Sequence, residues 1–149
     1  MIQRIQSLWL LLAAIAGVAV ARFDLWKATY TKGATAGVDI FNATSNYMVF
    51  ILLIIGILLS AVCIFLYKNR KLQFRLTVVN LLLSVGILAL IYLKIGESAQ
   101  KLAADGAVSI RGSYLIPAFL PVVIIVCLFL AARGIYKDEK LIKSLDRLR

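Results

Sequence analysis

Tyr67-Lys-Asn-Arg-Lys-Leu-Gln-Phe-Arg75 decides how the chain is arranged. It joins two long apolar runs and carries Lys68, Arg70, Lys71 and Arg75 with no acidic residue. Short basic loops resist translocation and remain on the cytoplasmic side of a membrane. Placing this connector inside sets the direction of every other span.

Working outward, a span over about 47–66 precedes the connector and contains the uncharged Phe50-Ile-Leu-Leu-Ile-Ile-Gly-Ile-Leu-Leu59. A span over about 76–93 follows it, also uncharged, and leaves the bilayer at Lys94 and Glu97. A first apolar run covers 5–21. Its Ala19-Val-Ala21 has the pattern of a signal cleavage site, but a retained first span is expected, with Arg22 snorkelling at its end. A fourth span covers about 114–132. Pro117 suits a helix start. Pro121 lies deeper and is expected to bend the helix or free a carbonyl.

Composition agrees with this reading. Of 149 residues 62% are hydrophobic, against about 45–50% for soluble domains, and the mean hydropathy is +0.95. Lys and Arg number 17 against 7 Asp and Glu, a formal charge of +10. The excess sits at ends and loops flanking apolar spans, so anionic lipid headgroups are the expected partner rather than nucleic acid. Arg4, the four basic residues of the connector and six in the tail fall on one side, while each long loop holds three. Both termini are therefore expected inside. Trp9, Tyr67 and Tyr136 then fall near the inner interface, and Trp26, Tyr47, Tyr92 and Tyr114 near the outer one.

The two long loops carry strand signals. Leu25-Trp-Lys-Ala-Thr-Tyr30 and Val38-Asp-Ile-Phe41 flank a turn containing Gly33 and Gly37, and Ala107-Val-Ser-Ile-Arg111 alternates after an Asp105-Gly106 turn. Glu97 to Ala104 reads as an extension of the third helix. Asn42-Ala-Thr44 matches a glycosylation sequon. The expected fold is an all-α membrane protein: one domain over 1–149, a four-transmembrane-helix bundle with a small extracytoplasmic β-sheet cap. The layout is similar in shape to claudin-like tetraspans, whose paired loop cysteines are absent here.

The tail from Arg133 to Arg149 places Leu141, Leu145 and Leu148 on one face, with Ile142 beside them. It reads as an amphipathic helix for the membrane surface or a partner, or one that packs on its own bundle. Asp138 and Glu139 are expected to favour the first turn of that helix.

The spans offer few chemical groups. The chain has no His, the commonest general base and metal ligand. No span holds a charge at its centre, as coupled transport usually requires. No phosphate loop, H-E-x-x-H or G-x-S-x-G occurs. The candidate intramembrane polar site is Asn80 and Ser84 with Cys63 and Cys127, all expected at similar depth in the cytoplasmic third. Asn80 is expected to face the interior and bond a neighbouring helix, as glue or as a polar site. The cysteines are expected to pack as small hydrophobes. Ala13, Gly17 and Ala21, and Gly56 and Ser60, recur at four-residue spacing and allow close helix approach, within the chain or in a dimer. No metal, cofactor or catalytic residue is expected.

Met1-Ile-Gln-Arg-Ile-Gln6 leading into Leu8-Trp-Leu-Leu-Leu-Ala-Ala14, the connector Tyr67 to Gln73, and the closing Asp138 to Arg149 resemble the DUF4293 family of small four-span membrane proteins of Bacteroidota. The resemblance covers essentially the whole chain. It implies a multi-pass protein of the bacterial cytoplasmic membrane and carries no activity. In such a bacterium Asn42 is not expected to be glycosylated. The candidate lipid or partner face is Arg4, Lys68, Arg70, Lys71, Arg75, Arg147 and Arg149, and Gln3, Gln6 and the tail are expected to join the connector in one polar layer, an internal latch or a docking surface. The function expected is a non-enzymatic accessory or scaffold subunit of a larger inner-membrane assembly, with a protein partner or a second copy. The alternative is a small transporter or lipid-binding protein with a cavity near Asn80.

Overall fold

The apolar runs form four long helices in the computed structural model, which describes residues 2–33, 35–67 and 69–146, with side chains over 5–33, 35–67 and 69–141. They are α1 (Ile2–Arg22), α2 (Tyr47–Phe65), α3 (Arg70–Ala104) and α4 (Leu120–Asp146). Each holds a stretch long and apolar enough to cross a membrane. Contacts run α1 to α2, α2 to α3, α3 to α4 and α4 back to α1, which closes a four-helix ring. Ile15, Leu58, Leu82 and Phe129, one on each helix, are each more than half exposed. Apolar surface spread over all four helices is what hydrocarbon solvates and water does not.

Three strands interrupt the helices: β1 (Asp24–Lys32), β2 (Thr35–Asn42) and β3 (Val108–Tyr114). They form one antiparallel sheet in the order β2-β1-β3. Trp26 stands opposite Phe41 and Tyr114, and Ala28 opposite Asp39 and Gly112. Gly33 takes φ +61° in the β1–β2 turn, the left-handed conformation a tight hairpin favours. Gly37, expected in that turn, lies within β2 instead.

Alternation along β1 buries Leu25, Trp26 and Ala28. With Phe41 they pack against Val20, Val49, Leu53, Ile91 and Ile95. The sheet therefore sits on the end of the bundle where α1 and α3 finish and α2 and α4 begin. At the other end α1 and α3 begin and α2 and α4 finish. Asn46 caps α2, its side-chain oxygen accepting from the Met48 and Val49 amides at 3.1 and 3.4 Å. Asn42 of the sequon is itself a cap: its oxygen accepts from the Ser45 amide at 2.9 Å and from the Thr44 and Ser45 hydroxyls.

Two expectations are corrected by α4. A short 3-10 turn, Ile116–Phe119, precedes it, and the α-helix begins at Leu120. Pro121 thus falls in the first turn, where its missing N–H had no intrahelical acceptor, so it introduces no interior bend. No break separates span from tail either, because α4 is continuous to Asp146. Asp138 and Glu139 consequently lie deep within a long helix and not in the first turn of a separate one. Leu145 is described only as helical backbone, and Leu148 lies outside the described residues.

Candidate functional site

The side of α3 turned inward is polar along its first half. Gln73, Thr77, Asn80 and Ser84 are all buried, and Ile87, Ile91 and Ile95 continue the row. The alternating spacing of three and four residues is that of a seam between packed helices. Each of these polar side chains donates to a defined partner. Gln73 Nε2 donates to the Cys63 carbonyl at 2.9 Å. Thr77 and Ser84 each donate to the carbonyl four residues back, at 2.8 Å.

Asn80 binds α2 most fully. Its Nδ2 donates to the Gly56 carbonyl at 3.1 Å and to Ser60 Oγ at 2.8 Å. Ser60 Oγ in turn donates to the same Gly56 carbonyl at 3.1 Å. These bonds fix which way the amide points, since a turned amide would set its oxygen against the Gly56 carbonyl. Among the described residues, Asn80 Oδ1 is a buried side-chain oxygen that no protein group donates to. Asn80 is 1% exposed. It lines a cavity of about 20 Å³ that also takes in Gly17 of α1, Gly56 and Ser60 of α2, Ser84 of α3 and Pro121 of α4.

The helix pairing separates Asn80 from Cys63, which were expected at a common depth. Asn80 bonds Gly56, at the midpoint of α2, ten residues and about 15 Å along α3 from Arg70. Cys63 lies about two turns nearer the connector, opposite Gln73. Cys63 and Cys127 share a packed cluster with Leu10, Ala13, Leu128 and Ala131 and do not line the cavity. Asn80 and Ser84 are thus brought together, and neither free thiol is among the residues that line their cavity.

A second polar cluster ties the end of the bundle where α1 and α3 begin and α4 finishes. Asp138 of α4 is 6% exposed. Its Oδ2 accepts from Gln6 Nε2 of α1 at 2.7 Å and from Arg70 Nη1 of α3 at 2.9 Å. A Cβ added at Gly134, one turn before Asp138, would lie 2.9 Å from Gln6 Cγ, so glycine there lets α1 and α4 approach closely enough for the bond. Arg70 is engaged in this latch, while Lys71 and Arg75 are exposed. Lys68, Arg147 and Arg149 lie outside the described residues, as do the side chains of Gln3 and Arg4.

Sequence reasoning missed that Gln73, Thr77 and Asp138 are buried. Gln73 read as part of the basic connector, and Asp138 as a charge favouring the first turn of a tail helix. The available signal was spacing: Gln73, Thr77, Asn80 and Ser84 keep the same rhythm as Ile87 and Ile91. Among the described residues no group of three or more His, Cys, Asp or Glu comes together to hold a metal.

A family profile for a domain of unknown function, DUF4293, matches residues 2–148. The chain belongs to this family. The matched range contains both the Asn80 network and the latch. No curated protein matches the chain.

Proposed function

We propose that this DUF4293 chain is a non-enzymatic four-span protein of the bacterial cytoplasmic membrane, serving as an accessory or scaffold subunit of a larger assembly. Both termini and the connector face the cytosol, and the sheet is an extracytoplasmic cap. The observation that carries the reading is closure at both ends by the chain's own groups. Asp138 draws α1, α3 and α4 together at one end, and the sheet packs on the other. A carrier alternates between open ends, and a bundle latched by a buried carboxylate is suited to holding one shape. Exposed Lys71, Arg75, Arg133, Lys137 and Lys140 surround the latched end and suit anionic headgroups. The apolar outer faces meet lipid or a partner's helices.

A second reading, a small transporter or lipid-binding protein, is favoured by the cavity at Asn80. Its size argues against a lipid occupant, because about 20 Å³ exceeds by little the room one water needs. Extraction of the tagged chain in mild detergent, followed by mass spectrometry and mass determination of the particle, tests the first reading. A partner in fixed stoichiometry is expected. A chain that runs alone as a monomer overturns it.

A further inference from the structure

The unpartnered oxygen of Asn80 points to a ligand. We propose that the cavity between the four helices is a binding site for one water molecule, held by Asn80 Oδ1 near the middle of the membrane. Three observations converge. The first is the acceptor itself: Oδ1 is buried and no protein donor reaches it, although every other buried polar side chain of the α3 seam donates to a defined partner. In hydrocarbon a bare carbonyl oxygen is unfavourable, so a donor that can reach it is bound. The second is fixed orientation. The two bonds made by Nδ2 leave Oδ1 no way to exchange places with the nitrogen. The third is space. A Cβ built on Gly56 would lie 3.4 Å from Oδ1, so the glycine leaves open room next to that oxygen.

The volume and lining select the ligand. About 20 Å³ holds a water and excludes an acyl chain or a solute of several heavy atoms. The Ser60 and Ser84 hydroxyls line the same space, and each donates elsewhere, so both have lone pairs left to accept. A ligand there must donate and must be neutral, since no charge of either sign is among the lining residues. Water satisfies every condition. The site is independent of the accessory-subunit reading, because a bound water is compatible with a static subunit and with a conducting one.

The test is water-edited solid-state NMR on the full-length, 13C-labelled protein in phosphatidylethanolamine/phosphatidylglycerol vesicles. At short mixing, magnetisation starting on water should reach Asn80 Cγ and should not reach Thr77 Cβ, which is equally buried on the same face but does not line the cavity. In Gly56→Ala the added methyl takes up the space beside Oδ1, and the Asn80 signal should fall to the level of Thr77. A dark Asn80 Cγ in the wild-type protein overturns the proposal without any variant, so the proposal stands or falls even if Gly56→Ala does not fold. A signal that persists unchanged in a folded Gly56→Ala also overturns it, because the water would then come from elsewhere.

Discussion

Replacing Asp138 by alanine removes the acceptor that holds three helices at once. Gln6 Nε2 and Arg70 Nη1 both end on its Oδ2, at 2.7 and 2.9 Å. A hydrogen bond to a charged group is worth about 1.5–3 kcal/mol, and stranding one member of a fully buried ion pair costs about 3–5 kcal/mol. The Arg70 side chain is 23% exposed and that of Asp138 7%. The guanidinium can therefore turn outward to water or a headgroup, which discounts the penalty. The expected loss for Asp138→Ala is about 2–3 kcal/mol. Arg70→Ala should lose at least as much, because the less exposed partner is then the one stranded. The double variant should lose less than the sum of the two, with a coupling of about 1–2 kcal/mol. Equilibrium unfolding in mixed micelles with rising dodecyl sulfate, followed by tryptophan fluorescence, gives all four corners of this cycle. A loss below about 0.5 kcal/mol for Asp138→Ala, or simple additivity, would refute the latch as a stabilising device.

Two further substitutions probe the interior. Gly17→Val sets a side chain where even a Cβ would lie 2.7 Å from Ile57 Cγ1. It should destabilise the α1–α2 contact by about 1–3 kcal/mol in the same assay, and adding Ile57→Ala should recover part of the loss. No recovery would place the clash elsewhere. Asn80→Ala removes both bonds to α2, each worth about 0.6 kcal/mol within a membrane, and should cost about 1–2 kcal/mol in total. Unchanged stability would show that the amide does not tie α3 to α2.

The helices and strands were legible because their signals are local. Uncharged runs of about 20 residues have few alternatives to a helix, and Trp26, Tyr30, Val38 and Ile40 carry β-propensity between turn residues. What was not legible depends on which neighbour a residue meets. Hydropathy averages over a window, so Gln73 took the character of the basic residues beside it although its amide points at the Cys63 carbonyl. Asp138 read as a first-turn charge of a separate tail helix; a layer of Gln6, tail and connector was expected, but nothing local singles out Asp138 as the group that Gln6 and Arg70, 132 and 68 positions away, would meet. Pro121 was judged by its distance from the start of the apolar run, and the run begins as a 3-10 turn. Asn80 was singled out as the most polar residue within a span and does bond a neighbouring helix, but its level relative to Cys63 was not foreseen. Distance from the nearest charge is a poor ruler when the third helix begins as early as Arg70.

Orientation underlies the whole account, and cysteine accessibility measures it. With Cys63 and Cys127 replaced by alanine, single cysteines at Thr35 in the β1–β2 hairpin and at Lys71 by the connector are exposed to a membrane-impermeant maleimide on intact spheroplasts. The account predicts that Thr35→Cys is labelled from outside and Lys71→Cys only after lysis. Labelling of Lys71→Cys on intact cells, with Thr35→Cys protected, would contradict it.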